Sequence, residues 1–230
     1  MCKGNSKGCV VLGPDPTAWS KYAPLHPHPS LIRSYPHFVA AVRAAASGDA
    51  RRARKALLRV ESDAIKNWYI EHAQVSGNAR VVTLGRQRPA PYRGPVHERA
   101  YPRPAEVRAV LEADGYRCRY CQREVVHPDL LRALQAVVGK SAFPLGPGNA
   151  GRHGSVFAHR AVVDHILPRK RGGRTELGNL VTACYPCNFG KANHTLDDLG
   201  LRPPRPATRD SWDGLQSLLP ALRKYARKGA

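Results

Sequence analysis

The stretch "VVDHILPRKRGGRTELGNLVTACYPCNFGK", residues 162–191, decides the fold of this chain. β-branched residues are concentrated in "VFAHRAVVDHI" (156–166) and in "NLVTA" (179–183), which predicts two strands. The turn between them contains a Gly-Gly pair and several basic residues, so we expect a hairpin. The residues that follow Cys187, "NFGKAN", should begin a helix. The segment therefore predicts the order strand, strand, helix.

Four cysteines form two C-x-x-C pairs, and both pairs lie beside turn residues. Two such pairs supply the four thiolates of a closed tetrahedral zinc site, which is structural because it leaves no position for a substrate. A redox dithiol is the alternative, but redox chemistry needs only one pair. The sequence therefore predicts structural Zn²⁺ bound by Cys118, Cys121, Cys184 and Cys187.

Between and around these cysteines the chain resembles the HNH endonuclease family, the ββα-metal nucleases, in its cysteine-flanked form. The resemblance covers about residues 105–200. The matching residues are Cys118 and Cys121, "DHILP" (164–168), Gly172 and Gly173, "NL" (179–180), and "CYPCN" (184–188) with Lys191. It implies an α+β, mainly helical protein that contains a zinc-stapled ββα-metal catalytic domain.

Phosphodiester hydrolysis needs an activated water and a positive centre near the phosphate oxygens, which a hard divalent cation can provide. Asp164 offers a carboxylate ligand. The resemblance implies that the second protein ligand is Asn188, directly after the last cysteine, at a position where the family has histidine or, in many members, asparagine. An amide oxygen is a hard ligand, so we expect Mg²⁺ or Mn²⁺ as the catalytic ion.

His165 is the expected general base, because a neutral imidazole can take a proton from water near neutral pH. The resemblance implies that Asn179 holds the loop and aims this imidazole. Neighbouring residues of a regular strand point to opposite faces, so the strand must end or bend at Asp164 and His165. His159, six residues earlier, is a further candidate for a substrate contact.

Basic residues number 37 against 17 acidic ones, for a net charge of +20 and a pI near 10.3. Such an excess favours a polyanionic partner, and nucleic acid is the leading candidate. A solubilising surface or anionic lipid are the alternatives. The candidate nucleic-acid contacts are Arg169, Lys170, Arg171, Arg174 and Lys191 in the motif, and Arg51, Arg52 and Lys55 near the N-terminus.

Composition divides the chain into five segments. They are an irregular N-terminal arm (1–34), a basic helical domain expected to bind DNA (35–85), a Pro/Arg-rich linker (86–104), the HNH nuclease domain (105–200), and a spacer with a C-terminal helix (201–230). Cys2 and Cys9 in the arm have no matching partners and are predicted to be free thiols.

Apolar periodicity and Pro or Gly punctuation predict the remaining elements. They are a helix over 36–46, a long basic amphipathic helix from Asp49 to Tyr69, a strand over 80–84, helices from Pro104 and over 127–139, and a last helix from Trp212 to Tyr225 that Pro220 could kink. The long helix carries Arg51, Arg52 and Lys55 on its polar surface.

The expected function is metal-dependent hydrolysis of DNA by a restriction-type or mobile-element endonuclease. The low aromatic content, 7%, favours double-stranded DNA over single strands. A non-catalytic, zinc-stabilised DNA-binding protein and an RNA-directed nuclease or toxin are the alternatives. Cutting both strands with one centre calls for two copies, which makes a homodimer a further hypothesis. Neither a signal-peptide core nor a membrane-spanning run is present, so we expect a cytoplasmic protein with no membrane partner.

Overall fold

The computed structural model describes residues 12–73, 75–86, 92–95, 99–208 and 210–227. It is mainly helical, with one two-stranded antiparallel sheet. Its principal elements are α1 (Pro29–Ala46), α2 (Ala50–Leu57), α3 (Ser62–Trp68), α4 (Ser76–Thr83), α5 (Pro104–Ala113), α6 (Pro128–Val138), α7 (Gly154–His159), β1 (Ala161–His165), β2 (Leu180–Cys184), α8 (Tyr185–Lys191) and α9 (Leu219–Ala226). Within these ranges no helix combines the length and apolar character needed to cross a membrane. Cys2 and Cys9 lie outside the described residues.

The first helix begins earlier than predicted, so the expectation of an irregular arm up to residue 34 is wrong at its end. His28 Nδ1 accepts a hydrogen bond from the backbone N–H of Ser30 at 3.3 Å, and Pro29 occupies the first turn. Pro36, expected to start the helix, lies inside it. The histidine cap therefore sets the start.

The predicted long basic helix is wrong, because α2 ends at Leu57 and α3 starts at Ser62. Contacts with α1 hold the break. The carboxylate of Glu61 accepts hydrogen bonds from Arg33 Nε and from Ser30 Oγ, each at 2.6 Å. The backbone N–H of Glu61 donates to Ser34 Oγ at 3.0 Å. These tertiary contacts keep Glu61 outside both helices.

The strand predicted over 80–84 is also wrong, because these residues belong to α4 and the turn after it. Arg80 is buried at 2% exposure. Its guanidinium donates to the carbonyl oxygens of Leu199 at 2.5 Å and Ser20 at 2.7 Å and lies over the Trp19 ring. The position inside the protein, and not the β-branched valines, determines the conformation of this segment.

Only the second half of the strand predicted over 156–166 is extended, since residues 154–159 form α7 and β1 starts at Ala161. His153 Nδ1 accepts from Ser155 N at 3.2 Å, and Gly154 N donates to Ser62 Oγ at 2.7 Å, so α7 is capped at its first turn. A side chain at Gly154 would collide with the backbone oxygen of Ser62. Every residue of α7 is buried, and a fully buried run carries no periodicity that separates helix from strand.

The predicted strand, strand, helix order is present. β1 pairs antiparallel with β2, with Ala161 opposite Cys184 and His165 opposite Leu180. The helix starts at Tyr185, two residues before Cys187 and earlier than predicted, with Pro186 in its first turn. The cysteine therefore lies inside the helix.

Near the C-terminus, Pro220 lies in the first turn of α9, so the prediction of one longer helix kinked at this proline is wrong. One apolar core joins α9 to α1, α2 and α6 through residues such as Phe38, Leu57, Leu134 and Leu222. Another surrounds the sheet and the cysteines and includes Leu111, Tyr120 and Val181. This second core positions the candidate site.

Candidate catalytic and zinc sites

The four sequence-predicted cysteines converge. Their Sγ atoms all lie within 4.8 Å of one another, and the Sγ atoms of Cys121 and Cys184 are 3.7 Å apart. A tetrahedral ion with metal–sulfur bonds of about 2.3 Å spaces its sulfurs by about 3.8 Å. The cluster therefore has the dimensions of a four-cysteine metal site.

The chemistry of the cluster also fits a cation. Hydrogen bonds with the sulfurs of the neighbouring cysteines, first that of Cys118, and burial raise the pKa of Cys187 well above its usual range. A central dication would offset this raised pKa and hold all four sulfurs as thiolates. Each C-x-x-C pair forms one knuckle. The first knuckle, Cys118 and Cys121, precedes β1, and the second, Cys184 and Cys187, spans the start of α8. An ion bound by all four sulfurs would therefore fasten α8 to the segment around the first knuckle.

Three of the four predicted catalytic residues line one open cavity of about 580 Å³, whereas Asn179 does not. Asp164, His165 and Asn188 all contribute to its wall, together with Arg169. β1 ends at His165, as the opposite directions of adjacent strand residues required. The strand end and the helix that follows β2 thus bring a carboxylate, an imidazole and an amide to the same space.

Asp164 is buried at 7% exposure, and a residue of the first zinc knuckle holds its carboxylate. Tyr120, between Cys118 and Cys121, donates its phenolic O–H to Asp164 Oδ2 at 2.6 Å. Burial raises the pKa of Asp164, and the positive charge of Lys191 opposes that shift. Tyr120 was not among the predicted site residues, although its place between Cys118 and Cys121 could have suggested a link.

Lys191 is fully buried, which is inconsistent with the predicted phosphate contact. Its Nζ lies 3.2 Å from Asp164 Oδ2 and donates to the backbone oxygen of His165 at 2.8 Å. A lysine this deep is stable only when paired and hydrogen-bonded. Its place on the same helical face as Asn188, seen in the sequence, brings it to Asp164, the expected metal ligand, and not to the surface.

The imidazole of His165 is held in one tautomer. Its Nε2 lies 2.9 Å from Thr175 Oγ1, and the single hydroxyl hydrogen of Thr175 is donated to the backbone oxygen of Arg99 at 2.7 Å. Thr175 can therefore only accept from His165, which places the proton on Nε2 and leaves Nδ1 with a lone pair. Burial lowers the pKa of His165, so the ring is neutral near pH 7. Thr175 had no distinguishing signal in the sequence.

Asn179 fastens the loop between the two strands. Its Oδ1 accepts from Leu167 N at 2.8 Å, and its Nδ2 donates to Leu167 O at 3.1 Å and to Arg174 O at 2.9 Å. Gly172 has a φ of 89°, in the left-handed region, and a side chain at Gly173 would collide with the Leu167 carbonyl. The Gly-Gly turn and Asn179 thus shape the loop directly after His165.

Residues 151–194 match the family model described as HNH endonuclease. This segment of the chain is therefore similar to the HNH endonuclease domain. The matched range contains Asp164, His165, Asn179 and Asn188, whereas the first zinc knuckle precedes it. No curated protein and no solved structure matched the chain.

His159 is not a substrate contact of the HNH domain. It ends α7, is 1% exposed, and its ring stacks on Phe38 with centroids 4.3 Å apart. Burial lowers its pKa well below the usual value. The prediction was wrong because it assumed that His159 and His165 share one strand face, whereas His159 belongs to α7 and only His165 belongs to β1.

The other basic candidates differ in exposure. Lys170 and Arg174 are exposed on the loop of the HNH domain, and Arg169 and Arg171 are partly buried there. Exposed positions on α2 are held by Arg51, Arg52 and Lys55. All of these can reach solvent, so the expectation that they contact a polyanion remains compatible with their positions.

Proposed function

We propose that this protein is a metal-dependent endonuclease that hydrolyses phosphodiester bonds in DNA. The observation that carries the proposal is the shared cavity, which brings Asp164 and Asn188 to the same wall as a neutral His165. The HNH match supports a nuclease of this class. A zinc-stabilised binding protein would have no use for this arrangement of base and hard oxygen ligands.

The residues at the cavity fit a hard dication. Asp164 Oδ2 lies 2.6 Å from the Tyr120 hydroxyl and 3.2 Å from Lys191 Nζ, whereas Oδ1 has a longer contact with Lys191 Nζ, at 3.5 Å. Asp164 Oδ1 and the side-chain oxygen of Asn188 would hold Mg²⁺ or Mn²⁺. When bound, the ion supplies positive charge to the phosphate and to the leaving oxygen.

His165 performs the proton transfer in this proposal. Its Nδ1 accepts a proton from the attacking water, while the Nε2–H group continues to donate its hydrogen bond to Thr175 Oγ1. The lowered pKa of His165 keeps the acceptor available at neutral pH. Asn179 keeps the loop, and with it Arg169, beside the base.

Binding of the substrate phosphates is assigned to basic residues of the loop after β1 and of α2. We propose that Lys170, Arg171 and Arg174 neutralise phosphates around the cut and that α2 contributes Arg51, Arg52 and Lys55. The net charge of +20 supports this assignment. A restriction-type or mobile-element role, a cytoplasmic location and a homodimer for double-strand cutting belong to the same proposal.

The test is cleavage of supercoiled plasmid DNA with added Mg²⁺ or Mn²⁺ and without either ion. Omitting the ion is preferable to chelation, because a chelator competes for the structural zinc. His165→Ala should abolish cleavage and retain DNA binding and zinc content. His37→Ala on α1 is the matched control, because His37 lies outside the cavity lining, and it should cut normally.

Three outcomes separate the alternatives. Cleavage that survives in His165→Ala removes this residue as the base. Binding without cleavage under every ion indicates a non-catalytic DNA-binding protein. Digestion of RNA in a parallel reaction, with DNA left intact, indicates an RNA-directed nuclease.

A further inference from the structure

The exposed aromatic side chains of the protein are concentrated at the catalytic cavity. Among the described residues, the exposed aromatic residues are Tyr92, Tyr101 and Phe189. Tyr101 and Phe189 line the cavity with Asp164 and His165. The Tyr92 hydroxyl lies 2.8 Å from where a Cβ on Gly172 would stand, beside the loop. A chain with few aromatics has therefore placed its exposed ones around one site.

Tyr101 is presented by a backbone that is anchored on both sides. The guanidinium of Arg99 pairs with both carboxylate oxygens of Glu106 at 2.7 and 2.6 Å, and the N–H of Arg103 donates to Glu106 Oε2 at 2.7 Å. Arg99 O also accepts the Thr175 hydroxyl that orients His165. Yet the Tyr101 ring is 82% exposed, so a fixed backbone holds an uncovered ring beside the general base.

Phe189 is the second member of this aromatic rim, which we define as Tyr101 and Phe189. It follows Asn188 directly, and its ring packs against Tyr185 at 5.0 Å and Tyr69 at 5.7 Å between centroids. These contacts fix the ring, while 36% of the residue remains exposed. The rim therefore flanks the expected metal ligand with rigid apolar surface.

We infer that the aromatic rim is a nucleobase site, which receives an unpaired base next to the phosphate held by Asp164 and Asn188. This inference rests on the proposed function and specifies its substrate class. Inside a duplex both faces of a base are covered by its neighbours, so a protein ring can stack only on a base that has left the stack. The preferred substrate therefore has single-stranded or unstacked nucleotides at the cut.

Charge and chemistry favour this occupant over an apolar protein segment. Arg169 lines the same cavity, and the neighbouring loop is basic. Alternating aromatic and cationic groups are typical of surfaces that bind single strands. The low overall aromatic content predicted a duplex substrate, but that average carries no information about where the few exposed rings lie.

The test measures binding without added Mg²⁺ or Mn²⁺, so that it is independent of hydrolysis. Fluorescence anisotropy would compare a labelled duplex, the same duplex with a short central bubble, and the single strand. Tyr101→Ala should weaken binding of the bubble and the single strand by about five- to 150-fold, the range for loss of one stacked base, and change duplex binding less than about twofold. Tyr101→Phe should retain wild-type affinity, because the ring is kept.

A control variant and a second readout complete the experiment. Leu58→Ala removes a side chain that is 86% exposed beyond the end of α2 and should change nothing. A 2-aminopurine in the bubble should be quenched by the wild-type protein and less by Tyr101→Ala. Equal weakening on duplex and bubble, or no weakening at all, overturns the inference. If Tyr101→Ala selectively weakens binding of the bubble but the wild-type protein cuts no DNA with either ion, only the endonuclease proposal is refuted.

Discussion

Tyr120→Phe isolates the link between the first C-x-x-C pair and the carboxylate of Asp164. The substitution removes one hydroxyl and keeps the ring, which is fully buried in the core around the cysteines. What is lost is the 2.6 Å hydrogen bond to Asp164 Oδ2, and Lys191 remains as the partner of that oxygen. The variant therefore changes the orientation of Asp164 without opening a large cavity.

The size of the effect follows from the burial of both groups. A hydrogen bond to a charged group contributes about 1.5–3 kcal/mol, so the free energy of unfolding should fall by about that amount. Loss of an outer-shell partner of a metal ligand typically costs about 10- to 100-fold in metal affinity. We expect binding of Mn²⁺ at the cavity to weaken within that range.

The assay combines Mn²⁺ titration by calorimetry, urea unfolding and zinc content. Tyr116→Phe is the matched control, because Tyr116 lies in the same apolar core and is also buried. Zinc content should remain unchanged in both variants, and Mn²⁺ affinity should fall only in Tyr120→Phe. Equal Mn²⁺ affinity in the wild type and Tyr120→Phe would refute the idea that the knuckle positions Asp164.

Three further predictions address stability, the base and the zinc site. Burial lowers the pKa of His153 from 6.5 to about 4, so its neutral form is favoured in the folded state. Its contribution to the free energy of unfolding is present above pH 6.5, and about 3 kcal/mol is lost as the pH falls towards 4. His153→Asn keeps a capping acceptor. Urea unfolding across this pH range should therefore show a weaker acid dependence for this variant than for the wild type. Thr175→Val should lower the cleavage rate at least about tenfold by freeing the His165 tautomer, with recovery in Thr175→Ser; an unchanged rate for Thr175→Val contradicts the tautomer argument. Cys187→Ser should lose bound zinc, measured by metal analysis, and unfold at a lower temperature; full zinc occupancy would show that the four sulfurs are not one site.

Local patterns were reliable where neighbouring residues alone determine the outcome. The paired C-x-x-C spacing predicted the converging cysteines, and the spacing of "DHILP", Gly-Gly and Asn179 predicted the loop that follows β1. His127 caps α6 by accepting from Asp129 N at 3.1 Å, with Pro128 next to it, so this helix started where its local signals indicated. Capping, turn geometry and ligand spacing act over a few residues, and the sequence displays them directly.

The sequence by itself thus determined the ββα motif, the cysteine cluster and the residue types at the cavity. Tertiary structure decided which runs became α4 and α7, because the partners of both lie elsewhere in the chain and the fully buried α7 shows no periodicity. It also decided the immediate partners of the reactive groups. Tyr120 reaches Asp164 across 44 positions and Thr175 reaches Arg99 across 76. Hydrogen bonds over such separations form only when the chain packs, so local sequence patterns cannot predict them.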